Sequence, residues 1–146
     1  MDLHQNLSKN FRLFEFVYSE TAKRLKIENN PTDVVVENLK NLCEFVLEPL
    51  RELVGKPIKI NSGYRCFALN EAVGGSKESQ HMQGKAADLK VDGMTVAEVV
   101  AMIRNSEIQY DQLIEEKFVP TMPGSGWVHV SWNSPTKNRK KSFKIA

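Results

Sequence analysis

Two histidines and an aspartate carry the chemistry that this sequence offers. His81 and Asp88 lie in Ser79-Gln80-His81-Met82-Gln83-Gly84-Lys85-Ala86-Ala87-Asp88, and His129 lies in Trp127-Val128-His129-Val130-Ser131-Trp132. Imidazole and carboxylate are ligands that zinc takes on a tetrahedron, and a catalytic site uses three of them, leaving one position for water. His81 and Asp88 are seven positions apart. On a continuous helix that spacing is about 10.5 Å of rise, too far for both side chains to meet one ion comfortably. A tight turn through Gly84, Ala86 and Ala87 that runs into a strand would bring them together. Taken bare, a histidine before an aspartate is more often a surface or satisfied core pair, and the spacing gains meaning only from its surroundings.

The elements that must position these residues can be read in order. Phe11, Leu13, Phe14, Phe16 and Val17 form an apolar N-terminal segment laid over a core, followed by a short helix from Ser19 to Leu25 that Asn29-Asn30-Pro31 stops. Thr32 or Asp33 caps the next helix. Val35, Val36, Leu39, Leu42, Cys43, Val46, Leu47, Leu50 and Leu53 recur at spacings of three and four, which predicts the longest helix. Pro49 should kink it or sit at a bend near its end, and Gly55 ends it. Pro57 to Asn61 alternates like a strand and delivers Ser62-Gly63-Tyr64-Arg65 at a turn. A guanidinium there can meet a carboxylate bidentately. Leu69 to Val73 reads as a short helix closed by Gly74-Gly75, with a flexible loop beyond it leading to His81.

Ala87 to Val91 reads as a strand, Met94 to Arg104 as a helix with Val96, Val99, Val100 and Ile103 on one face, and Asp111 to Glu115 as a returning strand. Residues 117–126, with Pro120, Pro123, Gly124 and Gly126, read as a loop that feeds the His129 strand, so the two flanking segments should form an antiparallel hairpin. The order of elements predicts an α+β fold, an antiparallel sheet carrying the site with helices packed on one side.

A chain of 146 residues fits one domain with a real core. Its 41% hydrophobic and 26% charged residues exclude a mostly disordered or collagenous chain. A net charge of +2 is too small for nucleic-acid binding by the domain as a whole. Most of the excess is C-terminal: Lys137, Arg139, Lys140, Lys141 and Lys144 occur with no acid among residues 137–146, and this run reads as a solvated tail. Nucleic-acid binding would rest on that tail alone. Cys43 and Cys66 are too few for a disulfide framework; Cys43 belongs to the helical apolar face, and Cys66 packs beside the Arg65 turn rather than binding metal. His4 lies in a loose polar segment and reads as solvated. The N-terminus lacks the pattern of a secretory signal, and no apolar run approaches the roughly 20 residues of a bilayer crossing.

The wider wording resembles the zinc D-Ala-D-Ala carboxypeptidase family of cell-wall peptidases, which includes D,D-dipeptidases and phage endolysins and has a hedgehog-like fold. The resemblance runs through Asn10-Phe11, Leu13-Phe14-Glu15-Phe16, Asn38-Leu39, Pro49-Leu50-Arg51, Ser62-Gly63-Tyr64-Arg65, Leu69-Asn70, Gly74-Gly75, Ser79-Gln80-His81, Gly84, Ala86, Asp88 and Trp127-Val128-His129-Val130-Ser131. It implies that His81, Asp88 and His129 bind zinc, that Arg65 and Ser79 contact substrate, and that the substrate is a D-alanine-containing peptide of peptidoglycan. Several branches place the catalytic glutamate three residues before the last histidine, where this chain has Gly126. A branch worded Gln-Leu-Ile-x-Glu ahead of Trp-Val-His-Val points instead to Glu116, with Glu115 facing the other side of any strand. The expectation is a zinc peptidase domain over residues 1–136 with a basic tail over 137–146, monomeric, with neither nucleic acid nor membrane as partner. Without a signal, such a peptidase would reach the wall by phage-type delivery or on a virion. The rival reading, a wall-binding module that has lost catalysis, draws on the missing acid at position 126.

Overall fold

The computed structural model describes residues 1–146. Its N-terminal half is helical: α1 (Leu13–Val17), α2 (Glu20–Leu25), α3 (Asp33–Leu42), a π turn (Cys43–Leu47) and α4 (Glu48–Val54). Each start has a local cause. Ser19 and Thr32 accept backbone N–H groups of Ala22 and Val35, capping α2 and α3. The helix predicted from Val35 to Leu53 runs on without a break in helical backbone but changes its winding before Pro49. Pro49 lacks an N–H, and in a regular helix its ring would press on the carbonyl of Phe45. Widening the preceding turn, with the Glu48 N–H donating to the Cys43 carbonyl, relieves that clash. Gly55 closes α4 at a φ of 64°.

The second half builds the sheet from β1 (Ile58–Ser62), β2 (Ala86–Val91), β3 (Gln112–Glu116), β4 (Trp127–Ser131) and β5 (Lys141–Ile145), in the order β1-β2-β4-β3-β5. Between these strands lie α5 (Phe67–Ala72), a 3₁₀ turn (Gln80–Gln83) and α6 (Val96–Arg104), the last opened by a Thr95/Glu98 capping box. β3 and β4 form the antiparallel hairpin that the sequence predicts, and β1, β2 and β4 are antiparallel to their neighbours.

The period of two divides the sheet's faces. Ala87, Leu89, Val91, Leu113, Val128 and Val130 join Leu39, Leu42, Val46 and Leu50 and the α6 residues Val99, Val100 and Ile103 in one hydrophobic cluster. Helices therefore cover this face. Asp88, His129 and Ile114 are paired across β2, β4 and β3 and so form one row on the other face.

The basic C-terminal run departs from its reading as a solvated tail. Lys141–Ile145 pairs in parallel with β3 as the sheet's edge strand. Phe143 and Ile145 alternate with lysines there, and Phe143 is half-buried. The lysines that made the segment look like a tail are what blunts an exposed edge against pairing with other chains.

Candidate metal centre

The chain enters the site at the end of β1, where Gly63 is pressed against α1. A side chain at this position would place its first carbon 2.6 Å from the Phe16 carbonyl oxygen, which only glycine avoids. The backbone of Gly63 then does two things: its carbonyl faces His81 Nδ1 at 2.7 Å, and the following N–H, that of Tyr64, donates to Phe16. Because a carbonyl only accepts, His81 Nδ1 carries a proton toward Gly63, which turns Nε2 toward the site. The loop that leads from Gly74-Gly75 ends at Gln80 in the 3₁₀ turn that carries His81, capped by Ser79, whose Oγ accepts the His81 backbone N–H. His81 is buried at 2% exposure.

Asp88 and His129 come from directly paired positions of β2 and β4. Asp88 Oδ1 lies 3.3 Å from His81 Nε2 and 3.0 Å from His129 Nδ1. One ligand atom from each of the three residues lies within 4.8 Å of the others. Ligands held at about 2.0–2.1 Å on a tetrahedron stand about 3.3 Å apart. The donor set and spacing therefore fit a zinc ion with a modest spreading of the side chains. Burial by itself would raise the Asp88 carboxyl, but hydrogen bonds and charge from His129 and His81 outweigh it and hold the group well below the usual carboxylate range. Cys66 lies outside this group, at the N-cap of α5.

A cleft of about 660 Å³ opens over these residues, and Arg65, Ser79, Glu116 and Trp127 line it. Arg65 donates to Ser79 Oγ at 3.5 Å, and its Nε is buried with no acceptor in the protein. Burial lowers the Arg65 pKa from its ordinary value, opposed by the charges of Asp88 and Glu116. Glu116 pairs with Trp127 across the hairpin and shares the face of His129, while its Oε2 accepts the Trp127 indole N–H at 2.9 Å. Glu115 is turned to the opposite face at 8% exposure. Gly126 has a φ of +77°, and a side chain there would meet the Glu116 carbonyl oxygen at 2.4 Å. The turn leaves no room for an acid at that position.

Three residues of the site were not singled out in the sequence: Gln80, Asp111 and Arg139. Asp111, expected to begin a strand, instead precedes β3 and is fully buried. It accepts from the Arg139 backbone N–H, Nε and Nη2, each at 2.8 Å, and from Gln80 Nε2 at 2.8 Å. The lone arginine among the lysines of the tail was the available signal, since only its planar fork makes a bidentate pair. The Arg139 side-chain hydrogen bond is the main cause holding the Asp111 carboxyl down at about 2. A depressed carboxyl contributes stability that is present above its unfolded value near 4 and is lost as pH falls toward 2. Asp111→Asn should therefore be less stable than the parent at pH 6, by roughly 1–2 kcal/mol after allowance for screening of the exposed arginine. Denaturant titrations should show that gap closing between about pH 4 and pH 2. A gap that stays constant across this window would contradict the assignment.

Comparison with known proteins bears on what this arrangement is for. The Peptidase M15 family model matches residues 9–131, a span that includes His81, Asp88, Glu116 and His129. The chain belongs to the Peptidase M15 family. A zinc D-Ala-D-Ala carboxypeptidase of Streptomyces albus G is 38% identical over 60 residues, which is 40% of this chain and 24% of that protein. The chain thus matches about a quarter of the length of this curated relative. In this M15 chain the match reaches beyond the metal group to the N-terminal helices, which are part of the same core.

Proposed function

We propose that this chain is a zinc peptidase that hydrolyses D-alanine-containing peptides of peptidoglycan, with Glu116 as its general base. The observation that carries the reading is the convergence of His81 Nε2, Asp88 Oδ1 and His129 Nδ1 in a cleft that also holds a carboxylate and a guanidinium. The kinship with a protein named as a zinc D-Ala-D-Ala carboxypeptidase supports the substrate class. His81, Asp88 and His129 would hold the zinc, which supplies Lewis acidity that polarises the amide carbonyl and acidifies a water.

The remaining steps belong to side chains. Glu116 Oε2 is engaged by Trp127, so Oε1 is the oxygen available to take a proton from the attacking water. The same oxygen returns the proton to the leaving amine as the C–N bond breaks. Arg65 meets the substrate's terminal carboxylate or the developing oxyanion, and the buried, unpartnered Nε gives it a donor to spare. Ser79, already beside Arg65, hydrogen-bonds the same terminal group.

The rival reading, a wall-binding module without catalysis, drew on the absence of an acid at position 126. The carboxylate of Glu116 on the cleft wall supports catalysis over that reading. Carboxypeptidase, dipeptidase and endopeptidase action differ in the fragment released. Mass spectrometry of purified peptidoglycan fragments after incubation with the zinc-loaded protein should show loss of a D-alanine or scission at one stem-peptide bond. Fragments unchanged in mass would overturn the proposal.

A further inference from the structure

Two guanidiniums reach the cleft from opposite edges of the sheet. Arg65 follows β1 at one edge, Arg139 precedes β5 at the other, and the metal group lies between them on β2, β4 and the 3₁₀ turn. Arg65 has a place in the proposed mechanism. Arg139 does not, and its geometry is more elaborate than neutralising Asp111 requires.

A counter-ion for one buried carboxylate needs a nearby positive charge. Arg139 instead offers Nε and Nη2 as a fork to the two Asp111 oxygens and anchors its own backbone N–H on the same carboxylate. Asp111 has no exposure and is held from its other side by Gln80, the residue before His81. The plane of the guanidinium is therefore fixed relative to the turn that carries His81. Its side chain nonetheless remains 55% exposed, it lines the cleft, and Nη1 has no acceptor in the protein. An arginine so fixed loses little freedom when its outer edge meets a ligand, which is the condition under which one hydrogen bond contributes fully to affinity. The Asp111–Arg139 pair is close to neutral as a whole, so selection rests on the unpartnered N–H groups of Nη1. A carboxylate satisfies those donors better than a neutral carbonyl does.

We propose that Arg139, braced by Asp111, is a second anion-recognition group that selects peptides carrying a carboxylate on the far side of the cleaved amide from the group held by Arg65. This rests on the peptidase reading for the bond that is cut, but the recognition itself is a binding property and can be measured apart from hydrolysis. Arg139 is here a specificity-determining residue, while Asp111 and Gln80 are positioning residues.

The test uses peptide pairs ending in D-alanyl-D-alanine that differ only in a side-chain carboxylate or carboxamide on the residues N-terminal to that unit. Affinities are measured by calorimetry on the zinc-loaded Glu116→Gln protein, and kcat/KM on the unsubstituted protein. The carboxylate peptide should bind about tenfold more tightly than its carboxamide twin, as expected for one charge-assisted hydrogen bond, and Arg139→Gln should bring the ratio near one. Equal affinities for the two peptides in the protein that retains Arg139 would overturn the proposal, whatever the fate of the variant on folding. A preference that persists in Arg139→Gln would also overturn it, by placing the anion elsewhere. A clear preference in binding with no hydrolysis by the unsubstituted protein would uphold the anion site and remove the peptidase reading instead.

Discussion

Glu116→Gln is expected to keep its metal and lose roughly 100-fold or more in turnover, the usual contribution of a positioned acid/base group. Glutamine preserves the length of the side chain, and its carbonyl oxygen can still accept the Trp127 indole N–H that Glu116 Oε2 accepts now. What it cannot do is take up a proton at the other position and release it to the leaving amine. The control is Glu115→Gln, the same change one residue earlier on the helix-covered face of β3. Steady-state kinetics and metal analysis of both variants decide the matter: Glu115→Gln should keep parental turnover per folded, zinc-loaded molecule. Undiminished turnover in Glu116→Gln would place the base on another segment. Position 126 is not that segment, because its positive φ and the 2.4 Å approach to the Glu116 carbonyl oxygen admit no side chain.

Much of this centre is legible in the sequence because its parts obey local rules. A period of two places Glu116 and Glu115 on opposite faces without any knowledge of the partner strand, and the hairpin register then puts Glu116 beside Trp127 and Ile114 beside His129. The helical apolar stripe from Val35 onward is equally local. What escaped is what depends on long-range pairing. Lys141–Ile145 looks like a solvated tail until β3 is present to give its backbone a partner, at which point the Phe143/Ile145 alternation becomes the informative pattern. The Asp111 clamp is hidden for the same reason: Gln80, Asp111 and Arg139 are far apart in the chain, and no one of them alone implies the other two.

Removing either histidine ligand should abolish zinc binding and hydrolysis together, but the two removals should differ in their effect on the metal-free protein. The His129 side chain is 12% exposed, and its Nδ1 faces the carboxylate of Asp88. Trimming it to alanine takes away a ligand and leaves Asp88 partly open to water. His81 is 2% exposed and carries a structural duty as well, since its Nδ1–H is the partner of the Gly63 carbonyl beneath α1. His81→Ala leaves that buried carbonyl without its donor and opens a void where the ring stood, a combined cost of about 2–4 kcal/mol by the usual magnitudes. Metal analysis should therefore find less than about a tenth of the parental zinc in both variants, given that ligand loss weakens such sites by far more than the 10–100-fold typical of supporting residues. Thermal melts in chelator should show a larger drop for His81→Ala than for His129→Ala, which loses the hydrogen bond to Asp88 but leaves no backbone carbonyl unpaired. Parental zinc content in either variant would remove that residue from the ligand set. Equal melting temperatures in chelator would mean that the hydrogen bond to Gly63 orients the His81 ring without holding α1 and the β1 turn together.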